Sequence, residues 1–169
     1  AGALAFAAAL ELLGPAAIDR VEFVEEPLRA CPTFVGQVRA LEELYRETSL
    51  PYALDESLAD LATECGNDFE EMARTVRSAV LSGERAYGCA ALVLKPSLLG
   101  LDLTMRLARL ARSELGIGAV VSSAFDSGTG LAYAAFLAAL ADGLPSATAL
   151  TRYPHGLGTF TSLGRGEED

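Results

Sequence analysis

The chain has no tryptophan, one histidine, two methionines and three cysteines among 169 residues. Cys31, Cys65 and Cys89 are odd in number and lack CxxC spacing, which argues against a disulfide framework or a thiolate zinc site; reduced, partly buried thiols in a reducing compartment are expected. Basic residues are scarce, Arg outweighs Lys, and the net charge is −10. With no basic stripe, nucleic acid is not an expected partner. Long apolar runs free of Gly or charge are also missing. Residues 130–140 are too few to cross a bilayer and read as a buried helix, so no membrane span is expected. No signal or transit peptide is visible, as would also hold for an internal piece of a longer chain. What is present is an apolar sequence, 51% hydrophobic, long enough for one core. Residues 161–169, ending in Gly-Glu-Glu-Asp, read as a disordered, solvated acidic tail.

Three short signatures close three β-prone runs: Val24-Glu25-Glu26-Pro27, Leu54-Asp55-Glu56-Ser57 and Leu94-Lys95-Pro96-Ser97. Each places an ionisable side chain where a strand stops, and Pro27 and Pro96 end the ladder and keep the preceding residue extended. Glu25 and Asp55 are 30 positions apart, Asp55 and Lys95 40, Lys95 and Ser122 27. Steps of that size suit parallel strands joined by helical crossovers. Strands are expected over 21–25, 52–55, 90–95 and 119–123, with a shorter candidate at 147–150. Helical spacing runs over 35–48, 69–82, 101–115 and 130–141, and 1–13 reads as the end of an alanine-rich helix. The class is α/β. Period-two geometry puts Glu25 on one side with Phe23 and Val21, Asp55 with Ala53, and Lys95 with Val93 and Ala91. The charges would then cap a packed interior at the C-terminal mouth, where (β/α) barrels carry their chemistry.

This ordered set, with Val121-Ser122-Ser123-Ala124-Phe125-Asp126-Ser127-Gly128 after it, resembles the enolase superfamily. More narrowly it is similar to the o-succinylbenzoate synthases, and the ending His155-Gly156-Leu157-Gly158-Thr159-Phe160 looks most like the form fused into plant and algal phylloquinone-pathway proteins. The resemblance implies residues 1–169 as a partial barrel, strands four to eight, without the N-terminal strands and capping domain. It implies Mg²⁺-dependent dehydration of a cyclohexadiene carboxylate (SHCHC) to o-succinylbenzoate, in the chloroplast stroma of a plant or alga or the cytoplasm of a bacterium. Glu25 and Asp55 match two of three metal carboxylates, with Glu26 and Glu56 outside the ligand set, and Lys95 matches the sixth-strand lysine. Hard oxygen ligands suit Mg²⁺, which takes the rest of its shell from water and a small-molecule carboxylate substrate.

The departures matter equally. No strand precedes Val21 to carry the second lysine or the third carboxylate, so the missing half of the barrel is an implied partner. Ser122 and Ser123 either offer donors to a substrate carboxylate or merely end a strand, and Gly156 aligns with a glycine whose backbone approaches substrate. Gly128 and Gly130 fit either a helix start near an anion or a plain turn. His155 sits beyond the last expected strand, away from the strand on which the superfamily's histidine branch carries its base. Two further readings remain: an N-acylamino-acid racemase or dipeptide epimerase of the same superfamily, and a non-catalytic remnant module.

Overall fold

Strands and helices divide the apolar residues between the two sides of one sheet. The computed structural model describes residues 2–12, 20–82, 85–147 and 153–158. In chain order the elements are α1 (Gly2–Leu12), β1 (Val24–Glu25), α2 (Phe34–Thr48), β2 (Tyr52–Leu54), α3 (Glu56–Glu64), α4 (Phe69–Val80), β3 (Leu81–Ser82), β4 (Arg85–Ala86), β5 (Cys89–Leu94), α5 (Pro96–Leu99), α6 (Leu101–Arg109), β6 (Gly118–Val121) and α7 (Gly128–Asp142). β1, β2, β5 and β6 form a parallel sheet in that order, and β3 and β4 pair antiparallel beside it. A fifth segment adds on: Gly156 bridges Ser122 in parallel, one place beyond β6.

Tyr52, Leu54, Leu92, Leu94 and Val121 face the helices and share one core with residues from every helix from α2 to α7. Ala53, Ala91, Val93 and Val120 point the other way, into a smaller cluster with Phe23 and Tyr153 to which no described helix contributes. A doubly wound sheet would carry helices on both faces. Helices on one face and a small, sheet-lined interior on the other are the arc of a (β/α) barrel.

The helices form where pattern and caps agree. In α2, Phe34, Val38, Leu41 and Leu44 are buried at helical spacing, Thr33 Oγ1 accepts from Gly36 N, and Ser49 closes the helix with φ 56°. In α4, the Asp68 side chain accepts from the Glu70 and Glu71 amides, with both acids in the first turn and Arg77 in the last. α7 has no charged residue before Asp142 and leaves Tyr133, Phe136 and Leu140 exposed. A helix apolar all round belongs inside a larger body.

Several expected boundaries change. The strands are shorter or shifted, to 24–25, 52–54, 89–94 and 118–121, so Asp55, Lys95, Ser122 and Ser123 lie just past the strand ends. α3 was not expected. The helix over 101–115 is α only to Arg109 and continues as a π-helix over Leu110–Leu115. Ala147 is not in a strand, 148–150 and the tail 161–169 lie outside the described residues, and His155 and Gly156 belong to the added fifth segment rather than beyond it.

Candidate active site

Parallel pairing brings the ends of β1, β2 and β5 side by side, and three signatures become one cluster. Lys95 Nζ lies 2.7 Å from the Asp55 carboxylate and 3.0 Å from Glu56 Oε1. The Asp55 side chain is 5% exposed and that of Lys95 17%, so this ion pair is well shielded, whereas Glu56 is mostly open to water. Glu56 was expected at the margin of the site; it binds Lys95 directly.

Glu26 holds the platform under this cluster. Asp55 occupies the N-cap position of α3, yet its side chain does no capping. Glu26 replaces it from the next strand: its carboxylate accepts from the Asp55 and Ser57 amides and from the Ser57 hydroxyl. A negative charge at a helix N-terminus is stabilising, and this arrangement frees the Asp55 carboxylate to face Lys95. Glu26 adopts φ 30°, a strained conformation for a residue with a side chain, which these contacts hold in place. Glu25 is exposed and reaches Asp55 by charge repulsion.

The electrostatics follow from that geometry. Burial pushes the Asp55 carboxyl up to about 6; Lys95 pulls it down by hydrogen bond and charge, and Glu56 and Glu25 push it further up. Burial alone would lower Lys95, but its hydrogen bonds and charge pairing with Asp55 and Glu56 prevail, so its pKa is raised and it is held as an ammonium. Burial likewise works against Glu56, whose carboxyl is nevertheless lowered by Lys95 and by its own backbone N–H. Cys89, fully enclosed, is pushed up to about 12 and is chemically quiet.

Ser122, Ser123 and Gly156 are also brought together, at the end of β6. Ser123 N donates to Gly156 O at 2.9 Å, and both serine hydroxyls donate to the same carbonyl. A Cβ on Gly156 would sit 2.7 Å from Ser122 Oγ, so the close approach requires glycine. Gly128 and Gly130 start α7, where the Ser127 hydroxyl accepts from Gly130 N, as a plain cap does. The His155 ring makes no contact with the lysine cluster; its Nδ1 accepts from Val121 N.

Among the described residues, no three His, Cys, Asp or Glu side chains group to hold a metal ion. Glu25 and Asp55 are carboxylates at the ends of adjacent strands, the donor chemistry a hard cation takes, and Asp55 Oδ1, buried without a hydrogen bond, faces the Lys95 ammonium. A cavity of about 320 Å³ lies between α2 and α3. It shares Glu26, Glu56 and Ser57 with the cluster but touches neither Asp55 nor Lys95, so it is not the reaction space.

No family model matches the chain, and no curated protein matches it. Among solved structures it is similar to MenC from Desulfotalea psychrophila LSv54, at 28% identity and TM-score 0.57 over 90% of this chain. The fold is part of an enolase-type barrel. Within it, the chain spans 35% of the MenC chain. The parallel enolase-type order places Glu25, Asp55, Lys95 and Ser122 at the same end of successive strands. One signal for the site lay unused in the composition: Lys95 is the only lysine.

Proposed function

We propose that this chain carries part of the active site of an o-succinylbenzoate synthase-like lyase, and that strands outside this sequence complete it. The supporting observation is the shielded Lys95–Asp55 pair, with the exposed Glu56 beside it, at the C-terminal ends of adjacent parallel strands, in a chain 28% identical to MenC. In this reading Glu25 and Asp55 would hold Mg²⁺, with a third carboxylate coming from the missing half of the barrel. The ion would act as a Lewis acid toward the carboxylate oxygens of an SHCHC-type substrate as its α-proton leaves. Glu26 fixes the Asp55 backbone, so that the carboxylate can turn toward cation or ammonium without unseating α3.

Lys95 gives up no proton in this scheme. As an ammonium it would place a fixed positive charge beside the negative charge that develops on the enolised substrate. A second lysine from the missing strands would move the proton, and hydroxide then departs. In a racemase or epimerase of the same superfamily Lys95 would instead alternate as base and acid. The corresponding setting is phylloquinone or menaquinone synthesis, in a chloroplast or a bacterial cytoplasm according to source.

The test is made in protein reconstituted with the missing barrel strands. Lys95→Arg, which keeps the charge, should retain more dehydratase activity than Lys95→Ala. Racemisation, if present, should disappear in both. Dehydration at the wild-type rate by Lys95→Ala would remove Lys95 from the mechanism and leave the chain as a structural module.

A further inference from the structure

The described chain's single imidazole replaces a piece of backbone. In a regular parallel ladder, the Val121 amide would donate to a carbonyl on the neighbouring segment. Here it donates instead to His155 Nδ1 at 2.9 Å, while the next rungs are ordinary: Gly156 N to Val121 O and Ser123 N to Gly156 O, each 2.9 Å. An N–H can donate only to an unprotonated nitrogen, so Nδ1 carries no proton and the ring hydrogen is on Nε2. Nε2 is buried and faces Asp142 Oδ1 at 3.5 Å, at the end of α7. The guanidinium of Arg112, 3% exposed in the π-helical turn, lies 3.9 Å from the same carboxylate oxygen. Asp142 and Arg112 are the charged groups that this geometry sets against the ring from α7 and the π-helix.

We propose that His155 is a positioning residue that clamps segment 153–158 onto β6 only while its ring is neutral, and so makes this edge of the mouth sensitive to acid. Protonation places a hydrogen on Nδ1, directly against the Val121 N–H. The rung is lost, and the new positive charge shares Asp142 with Arg112. Gly156 follows His155 immediately, and its carbonyl holds both serine hydroxyls, so losing the clamp loosens Ser122, Ser123 and Gly156 together. The significance for substrate rests on the lyase reading; the clamp does not.

Amide exchange in the full chain tests it, with the Val121 rate divided by its intrinsic rate at each pH. Between pH 8 and pH 5, wild-type protection relative to that of His155→Gln should fall by roughly fivefold, the worth of one hydrogen bond. His155→Gln is the reference, since an amide oxygen accepts at any pH and its profile carries the other pH-dependent contributions, that of Asp55 included; His155→Ala should be poorly protected at both. A wild-type profile that runs parallel to that of His155→Gln, or a His155→Ala protein protected as well as wild type, overturns the proposal. Should the alanine variant not fold, the wild-type and glutamine profiles decide it. No turnover is read, so failure of the clamp and failure of the lyase reading are separately visible.

Discussion

Replacing Lys95 by Met isolates the charge at the centre of the cluster. Asp55 titrates at about 6 rather than the ordinary 3.8. From about pH 4 to about pH 6 the folded state therefore keeps a proton that the unfolded state has released, and stability falls as pH rises, on the order of 3 kcal/mol in all. Lys95 supplies the contributions that hold Asp55 down, so its removal moves the carboxyl above about 6 and enlarges that loss. At pH 8, where wild-type Asp55 is ionised, the variant leaves a carboxylate that is 5% exposed with no counter-charge, and should lose about 3–5 kcal/mol. At pH 5 Asp55 is protonated in both proteins, and the loss should be about 1 kcal/mol, that of a hydrogen bond. Urea unfolding at the two pH values gives the difference, in which the other carboxylates cancel. Adding Asp55→Asn to Lys95→Met should recover most of the loss at pH 8. Equal losses at pH 5 and pH 8, or an Asp55 pKa that falls in the variant, would refute the reasoning.

Glu25→Gln removes a charge that pushes Asp55 up, so carbon-detected titration should find Asp55 below about 6; an unchanged value would separate the two carboxylates and weaken Glu25 as a ligand. Glu26→Ala strips α3 of its distant cap and should cost about 1–2 kcal/mol in urea unfolding, with faster exchange at the Asp55 and Ser57 amides. The α7 face, with Phe136 60% and Tyr133 52% exposed beside an open sheet, should make the isolated chain oligomeric or poorly soluble. Phe136→Glu should shift its elution toward monomer, and a wild-type chain that already elutes as a sharp monomer would contradict this.

The parallel order and the identity of the clustered charges were legible, because three successive strand runs each end on their own charged signature and the spacing carries on to Ser122. Lys95, Asp55 and Glu25 needed no contact map to be set on neighbouring strands. α3 was passed over although Asp55, a usual capping residue, and Glu56 in the first turn stand at its start, with Leu58, Leu61 and Ala62 buried at helical spacing behind them. Only the source of the cap was out of local reach: it is Glu26, 31 residues before Ser57. The role of His155 was hidden in the same way: its partner amide, at Val121, is 34 residues away, and a histidine next to a glycine gives no sign that its ring will stand in for a carbonyl. Strand ends moved because pairing sets them; β5 begins at Cys89 since Tyr52 is there to meet it.

That pairing contains a small irregularity with a large effect. Tyr52 is level with Cys89, but Ala53 is level with Ala91, so Ala90 is an extra residue with no counterpart in β2. A single inserted residue reverses which way every later side chain on a strand points. Ala90 thus acts as a phase shift: downstream of it Ala91, Val93 and Lys95 turn inward, while Cys89 and Leu92 both stay with the helices. Deleting Ala90 would leave every charged residue of the chain in place, yet aim the lysine at the helix layer or drag Leu92 and Leu94 out of their core. The length of β5, as much as the chemistry at its end, determines whether this chain can put an ammonium beside Asp55.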